Sequence, residues 1–320
     1  MNESSFHPIF GPVPSRRLGN SLGINNIPPK TCSYSCVYCQ VGKTTEKCIV
    51  PRRFFTPARL AELVGRHLDR LQATEQGIDY LTFVPDGEPT LDEALGESIA
   101  ALRHFGIPIA VITNSTLLWR EDVRARVTGA DLVSVKVDSV NESAWRRINR
   151  PHEGLELDVM LQGIAEFAAG YGGTLISETM LLKEINDGDE ALVATANFLA
   201  GIAPRTAYVA VPTRPMVVGG FESPGEARLV RAHVLFSDRL AHVELLTGHE
   251  SGDFGVTGNA RDDLLAIAAV HPMRATDVHE LLSRDHADWS LVDEMLSEGV
   301  LRAVDHAGDR FYLRPVVYTP

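Results

Sequence analysis

The chain has 320 residues, 44% of them apolar and 22% charged, with a net charge of −12, enough for one α/β core with a small module appended or for two medium domains. The acidic balance disfavours nonspecific nucleic-acid binding. No apolar run reaches the roughly 20 residues that span a bilayer, and the start MNESSFHPIFGP lacks the basic then apolar pattern of a signal peptide, so a cytoplasmic location without membrane contact is expected.

In chain order, GPVPSRRLGNSLGIN is too rich in Gly and Pro for a helix; it carries Arg16 and Arg17 and runs into a first strand at 21–25. From residue 58 onward, helical patterns alternate with short apolar runs at 79–84, 107–113, 131–138, 173–181 and 206–212. That is the rhythm of β/α units and a parallel sheet. Several helices, PARLAELVGRHLDRL among them, place apolar residues at i, i+3, i+4 and i+7. Six strands are too few for a closed eight-unit barrel. The expectation is an α/β fold with a partial (β/α)6 TIM-like barrel over residues 1–246, ligand chemistry gathering at the carboxyl ends of its strands. One more helix, in FESPGEARLVRAHVLFSDRL, closes the barrel, and HVELLT at 242–247 is a candidate for a further strand.

Glycines and polar residues at 247–258 predict a linker. Residues 259–320 then read as three short helices followed by two strands joined by a turn at 306–308. This is the outline of a small C-terminal winged-helix domain.

Three of the four cysteines, Cys32, Cys36 and Cys39, fall in TCSYSCVYCQ with C-x3-C-x2-C spacing, on a loop just after the first strand. Clustered thiols fit a reducing compartment and a metal rather than a disulfide framework. A structural zinc would take a fourth ligand, either Cys48 or a remote histidine. An iron-sulfur cube takes three thiolates and leaves one iron open, and Tyr38, directly before the last cysteine, favours the cube. The 11 histidines show no H-E-x-x-H or H-x-x-E-H spacing. Cys48 reads as a lone thiol.

CSYSCVYC resembles the C-x3-C-x-aromatic-C loop of the radical S-adenosylmethionine (SAM) superfamily. The resemblance spans roughly residues 10–215. It implies a 4Fe-4S cluster on Cys32, Cys36 and Cys39, with SAM chelating the open iron. It also implies one-electron cleavage of SAM to a 5'-deoxyadenosyl radical, hydrogen abstraction from a substrate, and an electron donor such as flavodoxin or ferredoxin. VPDGEPT, residues 84–90, resembles the family's Gly-Gly-Glu-Pro motif, with Asp86 where the first glycine is usual. Gly87 would let the backbone approach a ligand and Glu88 would accept from the SAM ammonium; a plain β-turn before a helix is the alternative. Asn114, ending the third β/α strand, is a candidate for the ribose or methionine moiety, or a cap.

VSVKVDS places Ser134, Lys136 and Asp138 on one face of its strand. Buried without a polar ligand, such groups are costly. With Val133, Val135 and Val137 facing the helices, Lys136 would neutralise the SAM carboxylate and Asp138 hold a ribose hydroxyl; Tyr38 joins this set. Glu178, Met180 and Arg214 of PTRP sit at later strand ends, where substrate or adenine contacts would be. INRP, KEIND and PTRP, with the paired arginines, resemble the branch containing archaeal wyosine-type tRNA enzymes and their bacterial relatives.

Residues 259–320 hold six Lys and Arg against eleven Asp and Glu, a poor field for phosphates. A peptide, protein or small-molecule substrate therefore ranks above RNA. The competing class is a non-enzymatic metal-sensing regulator.

Overall fold

A computed structural model describes residues 8–40, 42–71, 77–216, 218–247, 254–306 and 308–315. It opens with a hairpin of β1 (Ile9–Ser15) and β2 (Gly19–Ile24), paired antiparallel around the arginine turn. The sequence reading found only the second strand. Pro12 and Pro14 mask the first, since proline cannot donate to a ladder, and they are tolerated because β1 is a sheet edge.

Two short strands, β3 (Thr31–Cys32) and β4 (Glu46–Lys47), pair in parallel and bracket the cysteine loop. The β/α rhythm follows with α1 (Pro57–Leu71), β5 (Tyr80–Phe83), α2 (Leu95–Leu102), β6 (Ile109–Ile112), α3 (Glu121–Val127) and β7 (Leu132–Lys136). It continues through α4 (Glu142–Asn149), α5 (Leu157–Gly170), β8 (Thr174–Met180), α6 (Asp189–Ile202), β9 (Thr206–Ala210), α7 (Glu226–Ser237) and β10 (Val243–Leu246). The sheet order is β1-β2-β5-β6-β7-β8-β9-β10, and from β2 onward every pair is parallel. The edges β1 and β10 do not pair with each other among the described residues. The fold is thus the expected partial barrel, with β10 where a further strand was expected and β1 as an addition.

Period two divides each strand between two environments. Val133, Val135 and Val137 of and just beyond β7 join Leu81, Phe83 and Val111 in the core beneath the helices. On the inner face an apolar floor of Ala110, Leu132, Ile176 and Tyr208 gives way toward the carboxyl ends to Lys136 and Glu178, which are cross-strand partners. The sheet therefore delivers charge to one end of the barrel.

The C-terminal unit comprises α8 (Ala260–Val270), β11 (Met273–Arg274), α9 (Ala275–Arg284), α10 (Ser290–Ser297), β12 (Arg302–His306) and β13 (Asp309–Leu313). Its three strands form a separate sheet, order β11-β13-β12, β11 being an addition to the expected outline. Of the predicted linker, residues 248–253 lie outside the described residues, as does residue 307 of the predicted turn. Phe254 and Val256 are buried in the unit's own core, and Gly255 N donates to Pro12 O at 2.6 Å. These three residues, near the end of the stretch read as a linker, are packed against the C-terminal core and β1. Among the described residues no helix is long and apolar enough to cross a membrane.

Candidate functional site: the cysteine loop at the strand ends

Each end of the cysteine loop is fastened to a strand end or helix end. Lys30, in the left-handed region at φ 64°, donates its backbone N–H to Asp86 O (2.7 Å). Thr31 bridges to Gly87, and Glu88 N donates to Thr31 O (3.1 Å). A Cβ on Gly87 would lie 2.1 Å from Thr31 O, so the close approach this glycine permits is to the loop itself. On the other side Val37 N and Ser35 N donate to Ile148 O (2.9 Å) and Asn149 O (3.0 Å). The INRP stretch at the end of α4 is thereby the dock for the cysteines, a role the sequence did not disclose.

Cys32, Cys36, Cys39, Tyr38, Gly87 and Lys136 line one cavity of about 350 Å³, with Asp86, Glu178 and Met180 also on its wall. Burial, with the Glu88 carboxylate and the neighbouring thiols, pushes the Cys32 thiol well up. Burial and Asp138 push Cys36 up to about 12. Lys136 donates to Glu178 Oε1, its Nζ lies 3.7 Å from Asp138 Oδ1, and it sits 5.0 Å from the centre of the Tyr38 ring. Burial works against its ammonium, but Asp138 and Glu178 outweigh burial and raise its pKa. Burial alone would raise the Glu178 carboxyl, yet Arg17 and Lys136 together hold it at about 2.

Three residues expected to touch SAM are engaged by the protein and are not among those lining the cavity. Glu88 Oε1 accepts from Thr90 N (3.0 Å), Thr90 Oγ1 (2.6 Å) and Thr113 Oγ1 (2.6 Å), and Oε2 accepts from Asn114 N (2.7 Å). It ties the end of β5 to the end of β6. Asn114 donates to Ser33 Oγ (2.8 Å) and Cys32 Sγ (3.5 Å) and accepts from Thr116 N (3.0 Å) and Thr116 Oγ1 (2.8 Å). Asp138 accepts from Tyr38 OH, from Asn149 Nδ2 (2.6 Å) and from Met180 N (2.8 Å). In this structure these side chains take protein partners that position the loop, as buried polar groups do.

Besides Lys136–Glu178, two further ion pairs on this wall were not read from the sequence. Lys30 Nζ meets Asp86 Oδ1 at 2.9 Å, the Lys30 side chain being 4% exposed. Burial raises Asp86 to about 6 despite that lysine. Arg17, from the turn between β1 and β2, donates to Glu178 Oε2. The signal for the second was present in the paired arginines, but without the hairpin nothing aimed them inward. Cys48 N donates to Cys32 O (3.0 Å), while its thiol contacts Val50 and is absent from the cavity wall.

The donor set suits an iron-sulfur cube. Three cysteines line one cavity, which suits a group with separate irons. Tyr34 N (3.5 Å) and Asn114 Nδ2 donate to Cys32 Sγ, and Asn149 Nδ2 donates to Cys36 Sγ at 3.4 Å. Such donors favour thiolates and tune the cluster, and cluster cations would offset the burial that now keeps these groups protonated.

A sequence profile described as the Radical SAM superfamily matches residues 26–196. The chain is 44% identical over 309 residues to UPF0026 protein MJ1312 of Methanocaldococcus jannaschii, covering 96% of each. A radical SAM methyltransferase from Sphaerobacter thermophilus shares the fold at TM-score 0.56 and 15% identity, with 72% of this chain and 67% of that one covered. Streptococcus suis SuiB bound to S-adenosylmethionine does so at TM-score 0.51 and 14% identity, covering 72% and 52%. The profile spans more than half the chain and includes the cysteine loop and the Glu88 and Asn114 strand ends, which sets the regulator alternative aside: the chain belongs to the radical SAM superfamily and is an enzyme that uses a 4Fe-4S cluster and SAM.

Proposed function

We propose that Cys32, Cys36 and Cys39 hold three irons of the cluster and leave the fourth to SAM. When bound, the cluster would pass one electron from the donor to SAM, whose cleavage to methionine would supply a 5'-deoxyadenosyl radical to take a hydrogen atom from the substrate. The chain's own part is positional. Tyr38 and Gly87 shape the wall beside the cysteines, and Lys136 presents a charge held in place by Glu178. Glu88, Asn114 and Asp138 keep the loop and strand ends in register. A donor of the flavodoxin or ferredoxin class would supply the electron. Residues 1–246 are proposed as the catalytic barrel, and the C-terminal unit, packed from Phe254 onward, as a winged helix.

The observation that carries this reading is that three thiols open on one cavity, two of them already accepting N–H donors. Anaerobically reconstituted wild-type protein is expected to hold about four irons per chain and to form 5'-deoxyadenosine from SAM on reduction. Cys36→Ala is expected to lose most of the iron and all of the nucleoside product, and Cys48→Ala to keep both. Full iron and product in Cys36→Ala would overturn the assignment.

Among substrates, a peptide, protein or small molecule is favoured over RNA because the C-terminal unit is acidic. Mass spectrometry of cellular tRNA from a Cys36→Ala strain is expected to show an unchanged modification profile. A lost wyosine-type base would move the substrate to tRNA.

A further inference from the structure

Beside the cysteine cavity lies a smaller one of about 90 Å³. The two share Arg17, Gln40, Glu178, Met180 and Arg214. Liquid water occupies about 30 Å³ per molecule, so the space matches a compact polar group rather than a ring system. Arg16, Arg17 and Arg214 are among the residues that line it, and Glu178 is the one acidic residue on its wall among the described residues. That carboxylate is already shared between Arg17 and Lys136. In a chain of net charge −12, three arginines against one acidic residue beside the reaction cavity is an unusual concentration of basic residues.

Two of these arginines are set from different parts of the chain. Arg17 is held at one terminal nitrogen by Glu178, while its Nε is buried without a hydrogen-bond partner. A buried donor left unmet is costly, and a side-on carboxylate or phosphate engages Nε and a terminal nitrogen together. Arg214 donates to Gln40 Oε1 at 3.0 Å, and its Nη2 lies 2.8 Å from His271 Nε2. His271 comes from the C-terminal unit, just after α8, and also lines the cysteine cavity. Burial and the adjacent Arg214 hold its pKa well below the usual range, so the neutral ring accepts from Arg214. The C-terminal unit thereby fixes one arginine, and β1 and β2 fix the other.

We propose that the substrate carries an anionic group, a carboxylate or a phosphate, bound between Arg17 and Arg214 at the mouth of the cysteine cavity, with His271 positioning Arg214. This deepens the proposed function and rests on it for the identity of the adjoining site. It places the substrate anion at the carboxyl ends of the strands, where parallel α/β sheets bind ligands.

The test is isothermal titration of the full-length, reconstituted protein with inorganic phosphate and, separately, with acetate, each with and without saturating SAM. Saturable binding of at least one anion is expected, weakened at least tenfold by Arg17→Gln and by Arg214→Gln. Preference for phosphate would identify a phosphate-bearing substrate, and preference for acetate a carboxylate. Arg59→Gln, on the exposed face of α1, is expected to change nothing. His271→Leu is expected to weaken the anion about tenfold and His271→Gln, which restores an acceptor, to recover most of it. Equal affinity in wild type and in both arginine variants overturns the proposal, as does displacement of the anion by SAM, which would make the pocket a subsite for SAM's own carboxylate. Should Arg17→Gln not fold, Arg214→Gln and the two His271 variants decide alone. Iron content and 5'-deoxyadenosine, measured on the same samples, report failure of the cluster assignment separately.

Discussion

Asp86 occupies a position where the related motif usually has glycine, and its carboxylate is the partner of a nearly buried lysine on the cavity wall. The Lys30 side chain is 4% exposed and Asp86's 11%. An ion pair this buried adds little net stability relative to apolar residues of the same shape, yet removing one partner leaves an uncompensated charge. Asp86→Ala is therefore expected to cost about 3–5 kcal/mol, read by urea unfolding of cluster-free protein. Lys30→Met combined with Asp86→Leu is expected to recover most of that loss. A single-variant cost below about 1 kcal/mol, the range of solvent-exposed pairs, would show that Lys30 reaches water or another acceptor. Because Lys30 directly precedes the Thr31–Cys32 strand, the pair also fixes where the first cysteine begins. Sequence inspection could place Asp86 in a strand-end turn, but a partner 56 positions earlier leaves no local trace.

The elements that carry the site were legible because their period is strong. Val133, Val135 and Val137 mark one face of β7, and Lys136 then belongs to the other, as the structure has it. Hydrogen-bond partners were not legible, since Glu88, Asn114 and Asp138 each bond across strands or to the cysteine loop. Edge strand β1 was hidden by its prolines. The loop's attachment to β5 turns on Gly87. An added Cβ would meet a backbone oxygen, Thr31 O, at 2.1 Å, and backbone cannot yield as a flexible side chain can. Gly87→Ala is expected to cost about 1–3 kcal/mol, the usual penalty of overpacking. It is also expected to lower iron retention on reconstitution, because the displaced strand carries Cys32. Wild-type stability and iron content in this variant would mean that the loop shifts freely and that its seat on β5 does not hold the cysteines.

At the scale of the whole molecule, two hydrophobic cores meet at β1. Val13 packs against the C-terminal core, and a Cβ on Gly255 would strike Pro12 Cδ at 1.8 Å, so the glycine is there for contact with the barrel and not for freedom of a linker. The sequence could not show this, because a glycine flanked by Phe254 and Val256 looks the same whether it bends in solvent or abuts a distant proline. Within the C-terminal unit, Asp263 accepts from Thr257 N (2.6 Å) and Thr257 Oγ1 (2.9 Å), yet burial, with Asp285 close by, raises it to about 7. Asp285 Oδ2 is itself buried with no donor while both groups are ionised; a proton kept on Asp263 and shared with Asp285 supplies one. The sign of the consequence is fixed by linkage. An unfolded aspartate titrates near 3.9, so between about pH 4 and pH 7 the folded state binds more protons than the unfolded one, and stability falls as pH rises through that window. Above it both states are ionised, and the loss, of order 4 kcal/mol for about three units at about 1.4 kcal/mol per unit, is complete. Thermal unfolding of the cluster-free protein is therefore expected to show a C-terminal transition that moves down between pH 5 and pH 8. Asp263→Asn is expected to flatten that dependence and to raise the transition at pH 8. A transition that does not move over this range in the wild type, or moves equally in Asp263→Asn, would show that Asp263 is ionised in the folded protein and that the contact with Asp285 holds no proton.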